Sequence, residues 1–152
     1  MSQFEAILAT AAARAEGQPY AGALTPQEAF ALLQLAPKVK LIDVRTNAER
    51  DWVGRVAIDE ARHGAVQWST YPGGVPNPDF IAQLSAVAAR DDVLLFLCRS
   101  GVRSRHAAKA ATEHGFMHSY DILEGFEGDK DAQGHRKQVS GWCKAGLPWL
   151  GA

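Results

Sequence analysis

Within seven residues, Cys98-Arg99-Ser100-Gly101-Val102-Arg103-Ser104 gathers a thiol, two guanidinium groups, two hydroxyls and a glycine. Thiolate is the nucleophilic form of cysteine, and neighbouring positive charge favours it. From Val93 to Thr112 the charged residues are Arg99, Arg103, Arg105 and Lys109, with no acid among them. The chemistry this suggests is attack by sulfur on a small substrate held as an anion. A short turn into a helix aims its backbone N–H groups inward as a nest for negative charge, and the positive end of the helix dipole adds to the same field. Gly101 allows the positive φ that such a turn requires. Ser104 is placed either to direct its hydroxyl at the sulfur or to cap the helix. A solitary cysteine ending a strand would read as a small buried hydrophobe. The flanking arginines, the glycine turn and the helix start together outweigh that reading. The spacing from Cys98 to Arg103 is Cys-x4-Arg, a tight cradle; cysteine phosphatases use Cys-x5-Arg, one residue longer, to wrap a phosphate.

The elements that must position this loop are legible on both sides of it. Val93-Leu94-Leu95-Phe96-Leu97 is continuously apolar, as a central parallel strand buried on both faces should be. A helix is expected from Arg103 to His114, with Ala107, Ala108, Ala110 and Ala111 permitting close packing and Gly115 ending it. Val39 to Val44 reads as another buried strand ending at an acid, followed by a polar turn from Arg45 to Asp51. Ala65 to Trp68 and Ser119 to Leu123 read as short strands. Thr25-Pro26-Gln27-Glu28 is a strong helix start with a capping box, for a helix reaching about Leu35. Asn77 before Pro78 suggests a helix through about Ala89, after a loop rich in proline and glycine. A final helical turn is expected near Ser140 to Ala145. At the N-terminus, Phe4, Ile7, Leu8, Ala11 and Ala12 recur at helical spacing until Gly17 and Pro19. This first helix is as suited to an interface as to the core. Alternation of strand and helix argues an α/β domain with a central parallel sheet and helices on both faces.

The whole chain fits that scale. Its 152 residues suit one domain that buries about 68–70% of the surface its unfolded form exposes. Sixteen basic against seventeen acidic side chains give a net charge of -1, and 47% of residues are hydrophobic. That balance excludes a disordered tail, a collagen-like fibre and a generally basic nucleic-acid binder. The longest apolar run, Val93 to Cys98, falls well short of the ~20 residues a membrane helix needs. Two distant cysteines, Cys98 and Cys143, suit neither a disulfide scaffold nor a metal ribbon and point to a reducing, cytoplasmic setting.

At this point the chain resembles the single-domain rhodaneses, a sulfurtransferase family. The resemblance is carried by Leu41-Ile42-Asp43-Val44-Arg45, by Cys98-Arg99-Ser100-Gly101-Val102-Arg103-Ser104, and by Gly141-Trp142 with Ala145-Gly146-Leu147-Pro148. It implies a helical extension over residues 1–20 and a rhodanese-like domain over 21–152. It implies a double displacement: the Cys98 thiolate takes the outer sulfur of thiosulfate or a related persulfide donor, and a thiophilic acceptor removes it, cyanide in an assay and a thiol or protein in the cell. Arg99, Ser100, Gly101, Val102, Arg103 and Ser104 would form the anion cradle. Asp43 and Arg45 match the family's Asp-x-Arg pair and would support the loop; from the residues alone they read as a strand-end acid and a surface arginine. No metal, organic cofactor, nucleic acid or membrane partner is implied, and oligomeric state is left open. Two alternatives stay beside this reading: a non-catalytic rhodanese-like module that binds a partner or senses oxidants, and a small cysteine phosphatase or arsenate reductase. Where the family commonly shows Gly-His-Ile, this chain has Gly54-Arg55-Val56. Cys143 is expected to be a packed bystander thiol, and His114 and His118, despite their spacing, to be surface or cap residues. The acidic stretch Glu124 to Asp131 reads as a solvated loop, with a place bordering the cysteine pocket as the alternative, since it follows the strand after the helix that the cysteine loop starts.

Overall fold

A run of five aliphatic and aromatic residues with no polar break can be hidden only in the middle of a sheet, and there the computed structural model places it. The structure describes residues 2–151; Met1 and Ala152, the outer ends of the two expected segments, lie outside the described residues. The elements run α1 (Gln3–Arg14), β1 (Gly22–Leu24), α2 (Pro26–Leu35), β2 (Val39–Asp43), α3 (Asn47–Trp52), β3 (Arg55–Val56), a 3-10 turn (Glu60–Arg62), β4 (His63–Ala65), β5 (Ser69–Thr70), β6 (Val75–Pro76), α4 (Phe80–Val87), β7 (Val93–Leu97), α5 (Val102–Glu113), β8 (Ser119–Ile122) and β9 (Trp149–Leu150). Five strands form one sheet in the order β1-β8-β7-β2-β4. Every pairing in it is parallel, and β7 is its centre.

Alternate side chains of β7 separate two apolar clusters. Val93, Leu95 and Leu97 face α1 and α2, together with Leu24, Leu41, Ile122, Phe126 and Trp142. Leu94 and Phe96, then Cys98, face α4 and α5, where Leu84, Ala107, Ala108 and Ala111 close the other layer. The sheet is thus covered on both faces, as its uninterrupted apolar strand requires.

The cap of α2 matches its sequence signature: Thr25 accepts from Glu28 N–H and Glu28 accepts from Thr25 N–H. The first helix is part of the core layer. Ala11 is fully buried, and the backbone of α1 comes so close to β1 that a Cβ on Gly22 would lie 2.8 Å from Ala11 C and from two Tyr120 ring carbons. Arg14 then ties the helix to Glu28 and to Ala23 O. No helix of the described residues is long and apolar enough to cross a membrane.

Four local expectations shift. The polar stretch after β2 is a helix, α3, because Thr46 and Glu49 complete a second capping box that six residues are too few to reveal by periodicity. The strand expected at Ala65–Trp68 is β4 at His63–Ala65; beyond it Val66 and Trp68 still donate to Asp43 O and Val44 O, so only the regular ladder stops. The fourth helix begins at Phe80, since Asn77 spends its side chain on Asp79 N–H, Gln67 O and Gln83 in a turn. Ser140 to Ala145 forms turns with one i to i+4 bond, from Ala145 N–H to Gly141 O, and no helix.

Gly22 has an ordinary φ, so its restriction is purely steric. Gly22→Val should lower stability by ~1–3 kcal/mol through overpacking of α1 against Tyr120, read as a lower urea midpoint with an unchanged slope.

Candidate functional site

The turn between β7 and α5 is built by Cys98 to Gly101. Gly101 occupies the N-cap position at φ 105°, and no side chain caps the helix. Cys98 is 1% exposed. Its Sγ accepts the Gly101 N–H at 3.0 Å. Its thiol donates to Ser104 Oγ at 3.3 Å, and that hydroxyl donates onward to Asp121 Oδ1 at 2.6 Å. Ser104 therefore faces the sulfur rather than capping the helix. Asp121 sits on β8 beside Phe96 and points to the same face as Cys98.

The two loop arginines differ in what they are free to hold. Arg103 forks onto Glu49 of α3, at 2.7 Å and 2.9 Å. Burial pushes the Glu49 carboxyl up, but the bonds and charge of Arg103 together with the two bonds from Thr46 more than offset it and hold it below the ordinary range. Arg99 is exposed and makes no ion pair among the described residues. Both arginines line a cavity of about 370 Å³ with Glu49, Trp52, Val53 and Tyr71. Trp52 and Tyr71 form its exposed rim, packed edge to face at 5.6 Å. Ser100 is half-buried in the turn and Val102 exposed at the helix start.

Sequence reasoning missed what braces this turn. The stretch after β8 is a clamp: Phe126 N–H donates to Cys98 O at 2.8 Å, and Glu127 and Gly128 N–H donate to Arg99 O at 3.0 Å and 3.1 Å. Phe126 is fully buried. Gly125 has φ +68°, and a Cβ there would lie 2.4 Å from Arg99 C. Behind the clamp, Trp142 N–H donates to Gly125 O, Cys143 N–H to Phe126 O and Gly141 N–H to Glu124 Oε1. The readable signal was the Gly125/Gly128 pair; the acidic neighbours masked it.

Asp43 and Arg45 lie at the end of β2, and Arg45 is fully buried, not a surface group. It donates to Asp43 at 2.7 Å and 3.0 Å and to Gly54 O at 2.9 Å. Its guanidinium also lies 4.3 Å from the centre of the Phe126 ring. The pair thus reaches the cysteine loop through the clamp. In place of the family's histidine, Arg55 is held by Asp51 at 3.4 Å, and the carbonyl before it serves Arg45. Cys143 packs against the cluster on the face opposite Cys98, and burial pushes its thiol up to about 11. His114 turns its ring back to Ala110 O.

Two outcomes follow from these contacts. Gly125→Ala combines a left-handed backbone with a backbone clash, so it should cost ~1–3 kcal/mol in strain and slow alkylation of Cys98 by iodoacetamide. Burial raises the Asp121 carboxyl to about 6, offset in part by its Ser104 bond and by Arg105. A raised carboxyl binds its proton more tightly folded than unfolded, so its contribution to stability is full below about pH 4 and is lost as pH rises through about 6. Asp121→Asn should remove that loss, on the order of 2–3 kcal/mol, seen as a gain in stability at pH 7.5 relative to pH 4 in urea titrations.

Comparison with known proteins agrees with this geometry. The model of the Rhodanese-like domain family matches residues 25–132. Thiosulfate sulfurtransferase GlpE of Haemophilus influenzae is 27% identical over 82% of this chain and 90% of its own length. The protein RC0915 of Rickettsia conorii is 33% identical over 72% of this chain and 80% of its own. The crystal structure of Rv0390 from M. tuberculosis superimposes with a TM-score of 0.80 at 43% identity, covering 86% of this chain and 98% of that one. With a cysteine turn at the carboxyl end of the central strand and a family match across most of its length, this chain belongs to the rhodanese-like domain family.

Proposed function

We propose that the protein is a sulfurtransferase that carries a sulfane sulfur on Cys98. One observation carries the reading: Cys98 Sγ sits inside a four-residue turn, receiving the Gly101 N–H, at the uncapped start of α5. Such a site stabilises negative charge on sulfur and excludes a bulky electrophile. Its likeness to a thiosulfate sulfurtransferase at 27% identity supports the class of reaction.

With thiosulfate as donor, the Cys98 thiolate attacks the outer sulfur, the S–S bond of thiosulfate breaks, and sulfite leaves with that electron pair. Cys98 persulfide remains. Cyanide then attacks the terminal sulfur, giving thiocyanate and restoring the thiolate; a cellular thiolate or a protein acceptor would instead leave as a persulfide. Arg99 is the cation available to the departing sulfite, while Arg103, neutralised by Glu49, chiefly fixes α3 against the loop. Ser100, Gly101, Val102 and Ser104 supply the rest of the cradle. The reaction as written needs no metal or organic cofactor, and the reducing cytoplasm is the compartment that keeps Cys98 competent.

The burial of Cys98 favours one second reading, a non-catalytic module in which the turn never opens to a donor. Intact-protein mass spectrometry after mixing with thiosulfate separates the two. Sulfur transfer predicts a gain of about 32 Da, one sulfur added to cysteine, absent in Cys98→Ser and cleared by cyanide with release of thiocyanate. No gain with thiosulfate or glutathione persulfide would sink the proposal in favour of the binding module.

A further inference from the structure

Cys98, Ser104 and Asp121 form an unbroken row, thiol to hydroxyl at 3.3 Å and hydroxyl to carboxylate at 2.6 Å. All three are buried. Cys98 is 1% exposed, so its thiol has little direct contact with water through which to lose its proton. A serine hydroxyl has one proton to donate, so as long as it donates to Asp121 it cannot stabilise a thiolate. Meanwhile Asp121 Oδ2 is buried and has no hydrogen-bond partner among the described residues. A charged carboxylate kept half-satisfied in the core is costly if it only ties β8 to α5, since an amide would make the same tie without the charge.

We infer that Asp121 is a positioning residue that acts through Ser104: it takes up the proton Cys98 releases, so that the thiolate forms without proton exchange with solvent. The S–H bond of Cys98 breaks as a Ser104 O–H bond forms. The original Ser104 O–H bond breaks as Asp121 Oδ1 is protonated. One negative charge moves from carboxylate to sulfur and no proton leaves the protein. In the product arrangement Asp121 donates to Ser104, Ser104 donates to the sulfur, and the Gly101 N–H remains in place, giving the thiolate two donors.

Burial has already raised the Asp121 carboxyl to about 6, which makes it a better proton acceptor than an ordinary aspartate. The other groups facing this row are few. From α5, Arg105 favours the charged carboxylate and Arg103 lies close enough to feel charge on Cys98. From the segment before β1, Tyr20 is near enough that burial and the Asp121 charge both raise its phenol. The inference rests on Cys98 being the nucleophile of the proposed sulfur transfer, but its test uses no sulfur donor.

The rate of Cys98 alkylation by iodoacetamide, followed by intact mass from pH 4.5 to 10 in a Cys143→Ser background, reads the thiolate directly. Two groups sharing one proton titrate as a pair. The expected profile therefore rises in two steps, the first near the carboxyl's own transition at about pH 6. Asp121→Asn should abolish the lower step and leave a single rise. Ser104→Ala should also give a single rise and should slow alkylation at pH 7 about tenfold, the equivalent of one charge-assisted hydrogen bond. Ser104→Thr, which restores the hydroxyl, should recover both steps. A merely structural Asp121 would alter the unfolding midpoint of its variant and leave the shape of the profile unchanged. A single-step wild-type profile, or one of the same shape in Asp121→Asn and Ser104→Ala, would overturn the inference; Ser104→Ala alone decides it if Asp121→Asn does not fold. Two steps without any persulfide on thiosulfate treatment would instead keep the relay and reject the sulfurtransferase reading.

Discussion

Beyond Leu97 the ladder of β7 ends, and the carbonyl oxygens of Cys98 and Arg99 have no neighbouring strand to pair with. Buried carbonyls must find donors, and the N–H groups of Phe126, Glu127 and Gly128 provide them. The shape of the turn that encloses the sulfur depends on this irregular ladder. It in turn depends on a second layer, because the carbonyls of Gly125 and Phe126 are satisfied by Trp142 and Cys143. Neither layer can be made by side chains, so the glycines are obligatory: a Cβ at Gly128 would lie 2.1 Å from Ser140 O, and one at Gly141 2.6 Å from Gly128 N. The segment after β8 is thus the wall behind the site, although among the described residues it contributes one two-residue strand, β9.

Two buried carboxylates, at the ends of β2 and in β8, show opposite treatments of the same problem. Asp43 is flanked by Arg45 and Arg50 and takes four of its five short contacts from Arg45, three from the guanidinium and one from the backbone N–H. That pair is a fixed post, for removing either member would strand the other charge in the core. Its reach to the site is mechanical, through the Arg45 guanidinium on the Phe126 ring. Among the described residues Asp121 has one side-chain partner, Ser104, and one oxygen without a partner. The first carboxylate holds the clamp in position, and the second is the one with proton affinity to spare.

The parts of this molecule that could be read from sequence are those whose determinants are local. β7 is visible because five successive apolar residues admit one environment, α2 because Thr25, Pro26 and Glu28 form a cap within four positions, and the cysteine turn because its charges and glycine are contiguous. β1, with three residues, is a strand only because β8 lies beside it. Arg45 looked like a surface residue since no local pattern reveals a buried ion pair. The clamp was hidden for a related reason: Glu124, Glu127 and Asp129 advertise solvent, whereas the N–H groups of Phe126, Glu127 and Gly128 and the carbonyls of Gly125, Phe126, Glu127 and Gly128 are all hydrogen-bonded. Asp121 carries no signal at all, being 17 residues from the serine that gives it meaning.

Glu49 is where local and distant constraints meet. Its side chain accepts from Thr46 N–H and Thr46 Oγ1, which starts α3, and its two oxygens also receive Arg103 from the far side of the cavity. The capping box therefore sets a carboxylate opposite the cysteine loop, and the loop answers with its second arginine. The electrostatic consequence follows from the pairing. A turn that carries two arginines in sequence offers a substrate roughly one positive charge, that of Arg99, plus the dipole of α5, because Arg103 is already neutralised at hydrogen-bonding distance. A site of that strength can hold an anionic donor yet release an equally anionic leaving group, which a cradle with both guanidiniums unpaired would retain. Glu49 thus weakens the loop's hold on anions while tying down its wall, and the proposed sulfur transfer would draw on both.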